Sequence, residues 1–292
     1  MQLTEKQQIS RELAEFCRLK GSQKKASAIL AGLSAATVSQ LLDGKWEGIS
    51  DEMWHNIAAQ VRDTIPGSRI EIRGYKLIYK LLSDAQENAL VLGVVGNEGS
   101  GKTETIKSYV ARNRNVFHLQ CADYWNRRFF VSELCRMLGI LPCSGALPER
   151  MVEIVKTLKK TEHPLLLIDE ADKLTDQLLY FFISLYNELE GCCALVAFAT
   201  PYFETRVLKG VEFNKKGFRE IYSRLGRKFI HVPLPNAEDI LEICRANGIR
   251  DPDLIDEIIS DSEFDLRRVA RKLYAVKKLL KLKEQRLDDQ SN

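Results

Sequence analysis

The chain has 292 residues, 45% of them hydrophobic and 28% charged, with 43 Lys and Arg against 40 Asp and Glu for a formal net charge of +3. This composition is typical of a folded globular protein, and the small net charge neither indicates nor excludes a nucleic-acid partner. The longest apolar runs fall far short of the ~20 residues that a membrane-spanning helix needs, and the N-terminus lacks the apolar core of a signal peptide. Seven cysteines without C-x-x-C spacing indicate reduced thiols rather than disulfides or a zinc site. We therefore expect a cytoplasmic protein with no membrane partner.

The N-terminal part of the sequence predicts an all-α domain. Apolar residues at helical spacing predict helices over 4–20, 22–30, 34–42 and 50–61. Gly21, Gly32 and the Asp43-Gly44 pair are stop signals between them. The segment 64–68, Thr-Ile-Pro-Gly-Ser, then breaks the pattern. We place a domain at 1–63 and a linker at 64–73.

Residues 23–42 resemble the helix-turn-helix of phage repressors, with Gly32 in the turn. Their expected core residues are Leu33, Val38 and Leu41. The side chains that the resemblance leaves for the DNA major groove are Ala35, Ala36, Thr37, Ser39 and Gln40. The lysines expected to meet phosphates are Lys24, Lys25 and Lys45. The alternative is a small helical bundle that contacts protein rather than DNA.

Strand and helix patterns alternate in the central part of the chain. Apolar runs typical of buried parallel strands are found at 89–95, 116–120, 165–168, 194–199 and 229–232. Helical patterns separate most of them, which predicts an α/β domain over 74–235. After Pro233-Leu234-Pro235 the strands cease. Three short helices are predicted in a helical subdomain at 236–283, followed by a polar tail at 284–292.

A phosphate-binding loop directly follows the first predicted strand. The pattern G-x-x-x-x-G-K-[ST] is met by Gly96, Asn97, Glu98, Gly99, Ser100, Gly101, Lys102 and Thr103, and Glu104 continues into the next helical stretch. Glycines allow backbone amides to surround a phosphate, and the N-terminus of the following helix faces the same anion. We expect Lys102 to bridge the β- and γ-phosphates of ATP and Thr103 to ligate Mg²⁺.

The apolar run 165–168 ends in two carboxylates, Asp169 and Glu170, as a Walker B strand does. Asp169 is expected to hold Mg²⁺, directly or through water, and Glu170 to orient and polarise the attacking water. Alone, a strand ending in Asp-Glu is commonly a solvated strand end. Combined with the upstream phosphate-binding loop, the pair predicts hydrolysis of ATP to ADP and phosphate.

Two classes of P-loop ATPase have a phosphate-binding loop followed by a strand that ends in Asp-Glu. The string 169–172, Asp-Glu-Ala-Asp, matches the DEAD-box helicases, but only about 60 residues, all helical in pattern, follow the last strand, too few for a second RecA-like domain. The chain better resembles the AAA+ class, in which a small helical lid follows the α/β core and a neighbouring subunit completes the site.

The AAA+ resemblance implies roles for further residues. Thr200, at the end of the run 194–199, takes the sensor-1 place, although the wider class more often has asparagine there. Ser223-Arg224 resembles the arginine-finger segment, with Arg227 as the alternative. Residues 264–268 resemble sensor 2, where we prefer Arg267 over Arg268.

The whole arrangement resembles the phage Mu B-like transposition proteins and related transposon helper ATPases, most distinctively at 96–104, 168–172 and 218–228. The resemblance implies an AAA+ P-loop ATPase core with a parallel sheet, a small C-terminal helical lid and an all-α N-terminal helix-turn-helix domain. It also implies a homo-oligomer or helical filament that forms on double-stranded DNA with ATP and delivers this target to a DDE-type transposase. Hydrolysis of ATP would then disassemble the filament.

Two basic segments are candidates for contacts with DNA phosphates inside such a filament: Asn126-Arg127-Arg128, after the second strand, and residues 209–216. The sequence leaves two other functions open. One is a signalling or defence ATPase with a protein-binding N-terminal module. The other is a replication initiator or loader, for which strong sequence preference is expected.

Overall fold

The computed structural model describes residues 3–30, 32–62, 70–140 and 145–290. They form two compact units, one of residues 1–70 with 108–114 and the other of residues 71–107 with 115–292. The predicted break at 64–68 and Cys143 lie outside the described residues. None of the helices in the described ranges combines the length and the apolar character that a membrane span requires.

In the first unit, the described residues before position 70 form four helices. Their bounds are α1 Leu3–Lys20, α2 Gln23–Ile29, α3 Ala35–Leu42 and α4 Asp51–Arg62. Ser22 and Ser34 cap α2 and α3, because each hydroxyl accepts a hydrogen bond from a backbone N–H three residues later. The predicted core positions Leu33, Val38 and Leu41 are buried, as is Trp54 on α4.

The second unit is built on a parallel sheet. Its strands are β1 Val91–Val95, β2 Val116–Gln120, β3 Leu165–Asp169, β4 Ala194–Ala199 and β5 Phe229–His231. The sheet formed by the described strands has the order β2-β3-β4-β1-β5. Every residue of β3 and β4 is buried, because parallel sheets are covered by helices on both faces. The carboxyl ends of all these strands meet at one edge.

Helices connect and follow the strands. The connecting helices are α5 Arg73–Asn88, α6 Lys102–Arg112, α7 Arg127–Leu138, α8 Leu147–Lys160, α9 Asp176–Leu189, α10 Pro201–Glu212 and α11 Phe218–Arg224, with a 3₁₀ turn at Ala171–Lys173. The helices after β5 are α12 Ala237–Ala246, α13 Pro252–Ser262 and α14 Leu266–Gln290. The residues predicted as a polar tail from 284 are therefore helical through Gln290.

Strands β2 and β4 have the predicted bounds, whereas β1 starts later than predicted. Ala89 adopts a left-handed conformation with φ 50° and ends α5, so the apolar run begins before the strand does. Strand β3 extends one residue beyond the C-terminal end of its predicted run and includes Asp169.

Arg206 on α10 holds the turn that follows β3. Its guanidinium donates to the carbonyls of Asp172 at 3.2 Å and Leu174 at 2.8 Å, and pairs with the Asp176 carboxylate at 2.5 Å. Lys215 pairs with the other oxygen of Asp176. Partial burial raises the pKa of Asp176, but the bonds from Arg206 and Lys215 outweigh it and hold this pKa below the ordinary value.

A first prediction concerns Gly210, which lies inside α10, where alanine is ordinarily better by about 1 kcal/mol. A Cβ at this position would lie 2.2 Å from Cδ1 and 2.9 Å from Cβ of Phe218, so the ring could not rotate away. We expect Gly210→Ala to lower the free energy of unfolding in urea by about 1–3 kcal/mol. The double variant Gly210→Ala/Phe218→Leu should lose less than the sum of the single changes. Unchanged stability of Gly210→Ala would contradict this packing.

A second prediction follows from the lowered pKa of Asp176. Because its folded-state pKa lies below the unfolded value, the ion pairs stabilise the fold above about pH 4 and this contribution is lost as the pH falls. Asp176→Asn should lower the free energy of unfolding at pH 7 by about 0.5–1.5 kcal/mol. The difference from wild type should close on acidification. Asp256→Asn, on the exposed side of α13, is the control. A difference in free energy of unfolding between the wild type and Asp176→Asn that does not change with pH would refute the ion-pair explanation.

Candidate active site

A cleft of about 570 Å³ opens at the edge of the sheet where the strands end. The phosphate-binding loop lines one wall with residues 98–104. The ends of β2, β3 and β4 contribute Gln120, Asp169 and Thr200, and the start of α14 contributes Arg267. Strand order explains this convergence, because β4 lies between β3 and β1, and the carboxyl ends of these parallel strands meet at the same edge.

The loop conformation requires glycine. Gly99 and Gly101 have φ of +72° and +89°, a region that other residues rarely adopt. A Cβ on Gly96 would lie 2.9 Å from the Cβ of Val232. The loop can therefore bring its backbone amides close to an anion, with the N-terminus of α6 directly behind it.

The Lys102 ammonium lies against the loop itself. Its Nζ donates to the carbonyl oxygens of Gly96 at 2.5 Å and Asn97 at 2.9 Å. Gly96 and Asn97 thus contribute carbonyls that hold the lysine, while the cleft wall starts at Glu98. Burial lowers the pKa of Lys102, although Asp169 opposes this effect. The glutamate after the loop, Glu104, lines the cleft and pairs with Lys107 at 2.9 Å.

Asp169 is a buried carboxylate with donors on both of its oxygens. Its side chain is 1% exposed. The Thr103 hydroxyl donates to Oδ2 at 2.9 Å, His118 Nε2 lies 3.5 Å from the same oxygen, and the backbone N–H of Glu170 donates to Oδ1 at 3.0 Å. Burial raises the pKa of Asp169, but His118, Thr103 and the Glu170 amide together hold it below the ordinary value. A threonine oxygen beside an ionised carboxylate is a donor set that fits Mg²⁺.

Glu170 is held in position by its backbone and by two side chains. It adopts a left-handed conformation with φ 57°, which costs about 1–3 kcal/mol for a residue with a Cβ. Gln120 Nε2 donates to its Oε1 at 3.3 Å, and Lys173 pairs with its Oε2. The carboxylate lines the cleft beside Asp169, where it is placed to accept a hydrogen bond from water.

Thr200 and Arg267 both line the cleft. The backbone N–H of Thr200 donates to Asp172 at 3.1 Å, which fixes the end of β4 against the turn after β3. Arg268, the alternative to Arg267, instead pairs with Glu263 at 2.8 Å.

A strained turn places α14 on the phosphate-binding loop. Glu263 and Phe264 have φ of 49° and 61°, each unfavourable for a residue with a side chain. The turn allows the N–H of Leu266 to donate to the Gly99 carbonyl at 3.0 Å. The Asp265 carboxylate occupies the space where a Gly99 side chain would project.

Arg224 does not line the cleft of its own chain. Its guanidinium carbon lies 4.7 Å from the ring centroid of Tyr186, and its Nη2 is 3.7 Å from Glu220. Arg227 is exposed. The arginine expected to act in a neighbouring subunit is thus outside the site formed by the described residues of one chain.

The residues expected to contact DNA lie in two places. Lys24 and Lys25 are exposed on α2, while Thr37, Ser39 and Gln40 are partly buried on α3. In the second unit, Arg127 and Arg128 are exposed in the first turn of α7. Asn126 Oδ1 accepts from the N–H of Phe129 at 3.0 Å, so this side chain caps the helix.

Three residues that contact Asp169 or Glu170 were not predicted from the sequence: His118, Gln120 and Lys173. Two of these are polar residues in an otherwise apolar strand, and the parallel register pairs Gln120 with Asp169. The alternation of polar His118 and Gln120 with apolar residues was the available sequence signal. It indicates residues of the cleft only when β2 is known to lie beside β3. Lys173 follows Glu170 by three residues, a spacing that brings side chains together only in a helical turn.

Comparison with known proteins agrees with this geometry. Residues 85–207 match the family described as an AAA domain, AAA_22. The ATP-dependent target DNA activators B of Escherichia phage Mu and of Escherichia phage D108 are each 27% identical over 172 residues, which covers 53% of this chain and 52% of theirs. The match therefore spans about half the length of these curated relatives.

The fold is similar to that of the replication initiator DnaA bound to AMPPCP and single-stranded DNA. The sequence identity is 17% and the TM-score is 0.49, and the match covers 74% of this chain and 66% of that one. AMPPCP-bound DnaA from Aquifex aeolicus has 17% identity, a TM-score of 0.48, and coverage of 76% and 68%. With its parallel sheet and phosphate-binding loop, the chain is similar to AAA domains over residues 85–207 and to the phage target DNA activators B over about half of its length.

Proposed function

We propose that this chain is an ATP-dependent DNA-binding ATPase that assembles on target DNA and activates or delivers it to a DDE-type transposase. The observation that carries the proposal is the convergence of Lys102, Thr103, Asp169 and Glu170 on one cleft. The phage relatives, named for ATP-dependent activation of target DNA, support its direction.

Each residue of the cleft has a distinct part in the proposed hydrolysis. The loop amides and Lys102 hold the phosphates of ATP. Thr103 and Asp169 would hold Mg²⁺, which supplies charge neutralisation at the phosphates when bound. Glu170 orients the attacking water, and Gln120 and Lys173 fix its carboxylate. Arg267, and Thr200 at the end of β4, face the same cleft and add charge and polarity near the phosphates.

Assembly and hydrolysis are coupled in this proposal by Arg224. Its place outside its own cleft supports our assignment of Arg224 to the cleft of a neighbouring copy. An interface of this kind joins different surfaces of successive copies, and repeats as a ring or a helical filament. A nucleotide held between copies then stabilises the assembly.

DNA binding is proposed for both units. In the first, α3 would enter the major groove as the second helix of a helix-turn-helix, with Lys24 and Lys25 on phosphates. In the second, Arg127 and Arg128 would contact phosphates. Exposure of these four cations supports the assignment.

Turnover of ATP and sedimentation, each with and without nonspecific duplex DNA, test the function as a whole. We expect DNA to raise both turnover and the sedimenting fraction, and both effects to weaken with salt. If DNA alters neither at any salt concentration, a signalling or defence ATPase with a protein-binding N-terminal module replaces this proposal. A footprint confined to one sequence would favour a replication initiator or loader.

A third prediction separates binding from hydrolysis in the cleft. Lys102→Ala should abolish ATP binding, because the phosphates lose their only lysine within the loop. Glu170→Gln should bind ATP normally but release phosphate about 10²–10⁴-fold more slowly, since the amide cannot accept a proton. Its assemblies on DNA should therefore persist after dilution. Glu188→Gln, an exposed carboxylate on α9, is the control. Assemblies of Glu170→Gln that dissociate at the wild-type rate would refute the role of Glu170.

A fourth prediction tests action between copies. Arg224→Ala should keep ATP binding and lose turnover by about 10³-fold or more, whereas Arg227→Ala should retain turnover. Arg224→Ala and Glu170→Gln are each inactive for different reasons. In an equimolar mixture, about a quarter of the head-to-tail interfaces would pair an intact Glu170 with an intact Arg224. Turnover should therefore reappear on mixing; a mixture that stays inactive would show that Arg224 does not act in trans.

A further inference from the structure

The segment after β2 presents two exposed aromatic rings. Tyr124 is 77% exposed and Phe129 is 41% exposed. Their ring centroids are 6.2 Å apart. Isolated exposed apolar residues are common on protein surfaces and need no explanation. These two rings, however, contact each other and lie beside positive charge, a combination that suits contact with nucleic-acid bases.

Buried rings support the exposed ones. Phe129 lies 5.2 Å from Trp125, which lies 6.3 Å from Phe130, which in turn lies 5.8 Å from Phe181. Trp125 is 8% exposed and Phe130 is fully buried. This chain of ring contacts runs from the core to Tyr124, so the outer rings lose little freedom when a ligand binds.

Two arginines beside the rings are available to an anion. Arg127 and Arg128 are exposed in the first turn of α7, and neither guanidinium belongs to an ion pair with another described residue. The Asn126 cap fixes the start of the helix and hence the backbone that carries both. Asp123 is the only carboxylate in the segment 121–132, so the surface carries net positive charge.

We propose that Tyr124 and Phe129 form a platform on which an unpaired DNA base stacks, while Arg127 and Arg128 hold the neighbouring phosphates. This inference rests on the proposed DNA-binding function and adds a ligand preference to it. A base inside a duplex has both faces covered by its neighbours, so an exposed ring stacks at lower cost on a base that has left the pair than between paired bases. The platform therefore favours single-stranded over double-stranded DNA.

Fluorescence anisotropy tests the platform in the 292-residue chain with a nonhydrolysable ATP analogue, using labelled oligothymidine and a duplex of equal length. Tyr124→Ala should weaken binding of oligothymidine about tenfold, as loss of one stacked base does, and leave duplex binding within about twofold. Tyr124→Phe should bind as the wild type, because the ring is retained. Tyr274→Ala, which removes an equally exposed ring from α14, is the control.

Salt dependence separates the two parts of the site. Tyr124→Ala should leave the slope of log K against log salt unchanged, because stacking releases no counterions. Arg127→Ala/Arg128→Ala should reduce that slope for oligothymidine by about 1.4, or about 0.7 for each lost phosphate contact. An unchanged slope in the double variant would remove the arginines from the site.

The outcomes distinguish this inference from the proposed function. If the wild type binds neither DNA, the DNA-binding function itself is wrong. If it binds DNA and Tyr124→Ala binds oligothymidine equally well, only the platform is wrong, and the rings serve another partner. If Tyr124→Ala weakens the duplex as much as the single strand, the ring inserts into paired DNA and the preference for unpaired bases is wrong.

Discussion

At the edge of the sheet that forms the cleft, the Asp169 carboxylate must stay ionised although it is almost completely buried. The arrangement of the other cleft residues depends on this constraint. An unpaired charge at the end of the apolar strand β3 would cost several kcal/mol. Its compensating partners are the Thr103 hydroxyl and the Glu170 amide, which donate to it, and the His118 ring, which lies 3.5 Å away; they come from three segments of the chain. They meet only because β2 pairs with β3 and the loop after β1 reaches the same edge. The ionised site therefore requires this sheet order.

Features that depend on neighbours along the chain were predictable from sequence. The bounds of β2 and β4 are the predicted ones, and a polar residue marks one end of each strand, Asn115 before β2 and Thr200 after β4. The phosphate-binding loop and the Asp169-Glu170 pair carry their chemistry in contiguous residues. The exception at β1 has a local cause, since the apolar Ala89 ends α5 in a left-handed conformation that no apolar pattern reveals.

Features that depend on contacts across the sheet were not predictable. Gln120 and Glu170 are 50 residues apart and meet through the strand order alone. Arg267 was preferred over Arg268 from the resemblance and does line the cleft, but the strained turn at Glu263-Phe264 before α14 was not predicted. A sequence pattern does not predict this turn, because Glu263 and Phe264 both disfavour the positive φ that it requires.

The end of β2 connects the cleft with the proposed platform for DNA. Gln120 donates to Glu170, and the next residue, Cys121, donates its N–H to the Asp169 carbonyl at 2.9 Å. A side-chain hydrogen bond of this kind contributes about 0.5–1.5 kcal/mol, so it can change DNA affinity by about tenfold at most in one chain. In an assembly of the proposed kind this small coupling adds over the copies on one DNA. DNA binding by the proposed assembly would then respond to nucleotide more steeply than DNA binding by a single chain, and the length of the assembly, rather than any one contact, would set that steepness.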